Sequence, residues 1–281
     1  MTINKVAVIG AGTMGAGIAQ VCAQSGLQTV LHDINADMVE KARKGIIKNL
    51  DGAVERGKMT AEQKDQTLAN LVFTPDFDQL KADLIIEAII ERLDVKVQLF
   101  DKLAGINGSE TILATNTSTI PITQIAAKIV NPERVVGIHF FNPAHIMKLV
   151  EVIAGAQTSD AVLEASKQFV SKVGKTPIVA KDAPGFIVNR VARHFYVEGL
   201  KLAEENVASF ETIDALCEAS GFKMGPFRLM DLIGVDTNFS VTSSMYQLFH
   251  YDPKFRPSRI QQQKVDAGHH GRKTSKGFYN Y

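Results

Sequence analysis

Glu151 stands inside the apolar run Leu149-Val150-Glu151-Val152-Ile153, where a carboxylate without a partner would be costly to bury. Twelve positions earlier, His139 follows another apolar run, Val135-Val136-Gly137-Ile138, and precedes Phe140-Phe141-Asn142-Pro143. A strand, a turn and a returning strand can bring the two side chains together. A carboxylate on one imidazole nitrogen would hold the tautomer and favour the protonated form, leaving the other nitrogen to exchange a proton with a substrate. A lone histidine between aromatics is more often a satisfied core residue, and it is the buried acid that favours catalysis here. Two further stretches could join the chemistry. Thr115-Asn116-Thr117-Ser118-Thr119 puts short hydrogen-bonding side chains directly after an apolar run, although alone it would read as a polar turn with a helix cap. Pro184-Gly185-Phe186-Ile187-Val188-Asn189-Arg190 sets Asn189 in the first turn of a long helix.

The amino terminus carries an independent signal. Val6-Ala7-Val8-Ile9-Gly10-Ala11-Gly12-Thr13-Met14-Gly15 reads as a buried strand turning straight into a helix. Gly10 permits the tight turn, Gly12 lets a pyrophosphate approach the backbone, and Gly15 lets the helix pack against the strand. Ile18, Ala19, Val21 and Cys22 continue at helical spacing, and Gly26 stops the helix. A second strand, Thr29-Val30-Leu31, ends at Asp33, whose carboxylate suits the ribose hydroxyls of NAD and repels the extra phosphate of NADP. Together these features outweigh the bland alternative of a glycine-rich turn with a chance acid. Lys41 and Arg43 on the next helix fall among polar residues and read as a solvated face.

A helical hairpin is expected between Asn35 and Asn70, broken at Gly57 and restarted by a capping box of Thr60 and Gln63. Its cations Lys48, Arg56 and Lys58 could meet a phosphate-bearing substrate, or each could simply lie on a solvated face. Strands then alternate with helices through Ile178-Val179-Ala180, which implies a largely parallel sheet covered on both faces, with some antiparallel pairing near its end. Beyond Pro184 nearly everything reads helical. The expected fold is α/β: a Rossmann-type doubly wound sheet with an inserted helical hairpin (1–184), then a smaller all-helical domain (185–281).

Lys plus Arg (31) nearly balance Asp plus Glu (30) over 281 residues, so no overall basic field recommends nucleic acid or an anionic membrane as partner. No apolar run approaches membrane-spanning length, and the amino terminus has no signal-peptide pattern. Cys22 and Cys217 form no C-x-x-C, which argues against a zinc site or a disulfide scaffold and, with the missing signal, for a cytoplasmic protein.

Several of these stretches, taken in order, resemble the L-3-hydroxyacyl-CoA dehydrogenase family: Gly10-Ala11-Gly12-Thr13-Met14-Gly15, Glu87-Ala88-Ile89-Ile90-Glu91, Asn116-Thr117-Ser118, His139 to Pro143, Met147 to Glu151, Pro184 to Arg190, and Gly271-Arg272-Lys273 to Tyr279. The likeness runs nearly end to end, and the length and single-function layout are most like bacterial 3-hydroxybutyryl-CoA dehydrogenases. The resemblance implies an NAD-dependent oxidation of a 3-hydroxyacyl-CoA to the 3-ketoacyl thioester and its reverse. His139 is then the general acid and base, Glu151 orients and charges it, and Ser118 and Asn189 hold the substrate. Glu91, Lys96, Asn116, Asn142 and Lys273, with the glycine turn, match cofactor positions, while Lys48 and Arg56 lie in the hairpin where relatives hold coenzyme A. The resemblance also implies a homodimer formed by the helical domain, which closes over the sheet domain. Thr119 stands where a second serine is usual, and His145 where an apolar residue or proline is common. Two alternatives remain. The region Phe227 to Gly234 also resembles 3-hydroxyadipyl-CoA dehydrogenases, and the family has supplied nonenzymatic NAD-binding structural proteins.

Overall fold

Eight apolar runs become strands in the computed structural model, which describes residues 1–281: β1 (Lys5–Ile9), β2 (Gln28–His32), β3 (Leu71–Thr74), β4 (Leu84–Glu87), β5 (Ile112–Thr115), β6 (Val135–Phe140), β7 (Leu149–Ala154) and β8 (Thr176–Lys181). They form one sheet in the order β3-β2-β1-β4-β5-β6-β7-β8, parallel throughout except where β6 meets β7. The central strands are buried on both faces, as their continuous Val, Ile and Leu content requires. The expected antiparallel pairing is therefore present, and it falls between the strands that carry His139 and Glu151.

Helices cover the sheet: α1 (Thr13–Gln24), α2 (Ala36–Glu55), α3 (Ala61–Ala69), α4 (Leu93–Ile106), α5 (Ile122–Ala126) and α6 (Asp160–Lys172). The first connection from β1 runs to β2 on one side, while β4 pairs with β1 on the other, so the strand order reverses at β1. In an open α/β sheet the crevice at such a reversal, outside the carboxyl ends of the strands, is where ligands bind. The hairpin forms as its sequence predicts. Val39, Ala42, Ile46 and Leu50 give α2 its buried face, the chain turns at Gly57 with φ of +63°, and Thr60 and Gln63 cap α3 reciprocally.

Three strands run further than their apolar cores suggest. β4 reaches Glu87, β5 reaches Thr115 and β6 reaches Phe140. Each extension carries a polar side chain into the sheet, and each such side chain finds a partner there, which allows the ladder to continue.

The chain divides into two compact units, Met1–Asp182 and Ala183–Tyr281. The second is helical: α7 (Val188–Glu204), α8 (Phe210–Ala219), α9 (Pro226–Ile233), α10 (Val235–Leu248) and α11 (Arg259–Asp266). Its core joins Tyr196, Leu200, Ile213, Phe227, Met230 and Phe278. Asp214 caps α9 through the amides of Phe227 and Arg228, and Asp231 holds the carboxy-terminal segment through the amides of Phe278 and Tyr279. No helix of the chain is long and apolar enough to cross a membrane.

Candidate active site

His139 and Glu151 are register partners in the antiparallel β6/β7 ladder, so both side chains leave the same face of the sheet. His139 is 3 % exposed and Glu151 is fully buried. His139 Nδ1 lies 2.8 Å from Glu151 Oε2. Where that carboxylate is ionised it can only accept, so Nδ1 donates to it and Nε2 is the nitrogen turned toward the loop after β5. Nε2 lies 3.1 Å from the Ser118 hydroxyl. The loop after β5 and the pair on β6 and β7 thus converge as Ser118, His139 and Glu151, three of the four residues expected at the reacting centre. Phe141 sits edge-on against the imidazole at 4.5 Å between ring centres. Asn189, the fourth, lies in the first turn of α7 in the helical unit.

The Ser118 loop is held from below by acids. Glu91 Oε1 accepts from the Ser118 amide at 2.9 Å, the Thr119 amide at 3.1 Å and the Thr117 hydroxyl at 2.5 Å. Glu91 Oε2 lies 3.2 Å from Lys96 Nζ, which also contacts Glu87 Oε1 at 2.6 Å. Glu87 Oε2 accepts from the Thr115 hydroxyl at 2.7 Å. Burial pushes Glu87 up in spite of Lys96, Thr115 and the Ile89 amide. For Glu91 burial acts upward too, but the Lys96 charge, the Thr117 hydroxyl and the Ser118 amide outweigh it and hold the carboxyl below its usual range. Glu87 and Thr115 lie within stretches noted in the sequence but are not among its expected site residues. The available signal was the one used for Glu151, an acid closing the apolar run Leu84-Ile85-Ile86.

Lys96 is held by two carboxylates. Its side chain is 1 % exposed, because the two carboxylates draw the ammonium inward, and it faces Glu87 and Glu91 rather than an open cleft. Asn116 uses its amide oxygen on the Phe140 amide at 2.8 Å and so ties the end of β5 to the end of β6. Asn142 is exposed beside a cavity of about 310 Å³ that is also lined by Gly12, Thr13, Lys41, Asn49 and His145. Lys41 therefore borders a cavity, contrary to the solvated face its polar neighbours suggest. It recurs with Met38, Gly45 and Asn49 at helical spacing on one side of α2. Lys48 and Arg56 are exposed and line neither this cavity nor the larger one described below. Burial first and the Lys175 charge second lower the His145 pKa from its ordinary value. Lys273, in the helical unit, pairs with Asp236 at 2.7 Å.

The glycine turn meets the geometric demands of a dinucleotide. Gly10 has φ of +101°, and a Cβ there would lie 2.6 Å from the Ala88 carbonyl oxygen, while a Cβ at Gly15 would collide with the carbonyl oxygen of Gly10. At Gly12 a Cβ would meet nothing within 4 Å, so the glycine leaves open space at the helix amino terminus, where backbone amides favour an anion. Asp33 staples the turn: its Oδ2 accepts from the Ala11 amide and its Oδ1 from the Asn35 amide, at 2.9 and 3.0 Å. Beside it opens a mainly apolar cavity of about 720 Å³ whose walls include His32, Ile34, Phe77, Ile90 and Leu99. Open space, anion-facing amides, a fixed carboxylate and an apolar slot are what a pyrophosphate, ribose and adenine require.

Residues 5–183 match the family model described as 3-hydroxyacyl-CoA dehydrogenase, NAD binding domain, and residues 185–281 match the 3-hydroxyacyl-CoA dehydrogenase, C-terminal domain. The chain belongs to the 3-hydroxyacyl-CoA dehydrogenase family. It is 49 % identical to the 3-hydroxyadipyl-CoA dehydrogenase of Escherichia coli over all of its own length and 60 % of that protein's. It is 42 % identical to the 3-hydroxybutyryl-CoA dehydrogenase of Bradyrhizobium diazoefficiens, covering 99 % of this chain and 96 % of that one. Among solved structures, the (S)-3-hydroxybutyryl-CoA dehydrogenase of Ralstonia eutropha superposes with a TM-score of 0.94 at 40 % identity, covering 100 % of this chain and 99 % of that one. The family is that of the sequence resemblance, and with it come the Rossmann-type fold and an NAD-binding domain.

Proposed function

We propose that this chain interconverts (S)-3-hydroxyacyl-CoA and 3-ketoacyl-CoA with NAD, and that 3-hydroxybutyryl-CoA and acetoacetyl-CoA are its preferred pair. The observation that carries the proposal is the array of Ser118, His139 and Glu151, in which the one ring nitrogen not bound to a carboxylate faces a hydroxyl. Gly10, Gly12, Gly15 and Asp33 would hold NAD, which supplies the hydride acceptor or donor when bound. In oxidation, His139 Nε2 takes the proton of the substrate's 3-hydroxyl, and the Glu151 carboxylate stabilises the imidazolium that forms. In reduction the same nitrogen returns a proton to the keto oxygen. Ser118 Oγ, already at hydrogen-bond distance from Nε2, orients the reacting oxygen toward it. The burial of His139 and Glu151 keeps water from competing for either bond.

The decisive assay follows the loss of NADH absorbance with acetoacetyl-CoA. Steady turnover is expected, and none would leave a nonenzymatic dinucleotide-binding protein as the reading. The identity to the E. coli relative favours a second substrate, 3-hydroxyadipyl-CoA. A higher kcat/KM for the six-carbon dicarboxylic thioester than for the four-carbon one would establish it. The proposal further places the enzyme in the cytoplasm as a homodimer joined through its helical unit, whose surface exposes Val191, Leu216 and Phe222. Light scattering should return twice the 30.7 kDa chain mass.

A further inference from the structure

Lys96 and Glu87 are nearly inaccessible, at 1 % and 0 % exposure, and the proton transfer at His139 uses neither. Burying an ammonium is tolerated only when carboxylates meet it closely, and here two do. The two acids have different second tasks. Glu87 faces inward, spending its remaining contacts on the Thr115 hydroxyl and the Ile89 amide, so it belongs to the rigid ends of β4 and β5. Glu91 faces the Ser118 loop, and one of its oxygens collects the amides of Ser118 and Thr119 and the hydroxyls of Thr117 and Thr119. Its other oxygen is held by Lys96.

We infer that Lys96 and Glu87 are positioning residues for the reaction. Glu87 anchors Lys96, Lys96 anchors Glu91, and Glu91 sets the loop that holds Ser118 Oγ at 3.1 Å from His139 Nε2. The catalytic part of this inference rests on the function proposed above, whereas the anchoring of the loop does not. With Lys96 lost, Glu91 keeps its loop donors but is no longer fixed to the sheet, and Glu87 is left buried without its cation.

Lys96→Met tests the chain of contacts, and Lys96→Met combined with Glu87→Gln removes the stranded charge so that loss of folding does not obscure the result. Amide hydrogen exchange read by NMR should accelerate at Ser118 and Thr119 by on the order of tenfold in the double variant, while β1 amides exchange as in the wild type. In the acetoacetyl-CoA assay kcat at saturating NADH should fall by a similar factor. Unchanged exchange at Ser118 and Thr119 would overturn the inference. So would a raised Kd for NADH with kcat at saturation intact, which would make Lys96 a direct cofactor contact. If the wild type fails to turn over, the proposed function falls, and the exchange experiment still decides whether Lys96 anchors the loop.

Discussion

Around β1 the site consists of what is missing, and around β6 of what is present. Gly12 contributes an absent Cβ, and the ligand surface there is backbone N–H and open volume. At β6 and β7 the site consists of two long side chains in register, with a third reaching across from the loop after β5. A site made of backbone and space is damaged by adding atoms, and the damage falls on binding. A site made of side chains is damaged by removing atoms, and the damage falls on the rate. Substitution should separate the two halves cleanly.

The largest effect is expected at β6. His139→Ala should lower kcat by on the order of 100-fold or more while the Kd for NADH changes by less than about twofold. Turnover like the wild type in the folded variant would remove His139 from the mechanism. Glu151→Gln should act on the same step with a smaller loss, and the double variant should lose much less than the product of the single losses. Independent losses would mean that the 2.8 Å contact does not work as a unit.

At β1 two alanine substitutions three residues apart sharpen the contrast. Gly12→Ala should leave thermal stability unchanged and weaken NADH binding, because its methyl group enters the open approach. Gly15→Ala should instead destabilise the fold, since its Cβ runs into the Gly10 carbonyl. Calorimetry and a binding titration on both variants read this directly, and equal loss of stability would contradict the division.

Asp33→Ala should narrow the preference for NADH over NADPH. The variant loses a charge that repels the extra phosphate, and it also loses the staple on the Ala11 amide, so NADH itself should bind less tightly. A wild type that prefers NADPH would show that Asp33 does not govern selection.

The smallest effect concerns acid stability. The Glu91 carboxyl is held below its ordinary range, so its folded form binds a proton less readily than its unfolded form. Its contribution is therefore fully present above the ordinary carboxylate pKa and is lost as pH falls through the lower folded value. The acid limb of Tm against pH should be shallower in Glu91→Gln than in the wild type.

How much of this was legible in the sequence depended on whether a residue contradicted its surroundings. The glycine turn stood out because its spacing sits between a strand and a helix, and the capping box because Thr60 and Gln63 are three apart where a helix must restart. Glu151 was visible because an acid amid Val and Ile demands a partner. The ion pairs of Lys96 were not, because Leu93-Asp94-Val95-Lys96-Val97 looks like any amphipathic helix start, and only the fold brings Glu87 and Glu91 to the same ammonium. Lys41 was misplaced for a related reason. It is exposed, as its neighbours suggest, but the β6 to β7 connection comes to lie across from it, and that approach of segments a hundred residues apart has no local signature.

The register of β6 against β7 has a consequence for altering this protein. Because His139 and Glu151 meet through a ladder of backbone hydrogen bonds, the segment 141–148 that joins their strands is not what aligns them. The exposed His145 on that connection can therefore be exchanged to reshape the neighbouring cavity while the proton-transfer pair keeps its spacing. A single-residue slip within either strand, by contrast, would turn one member of the pair to the opposite face of the sheet.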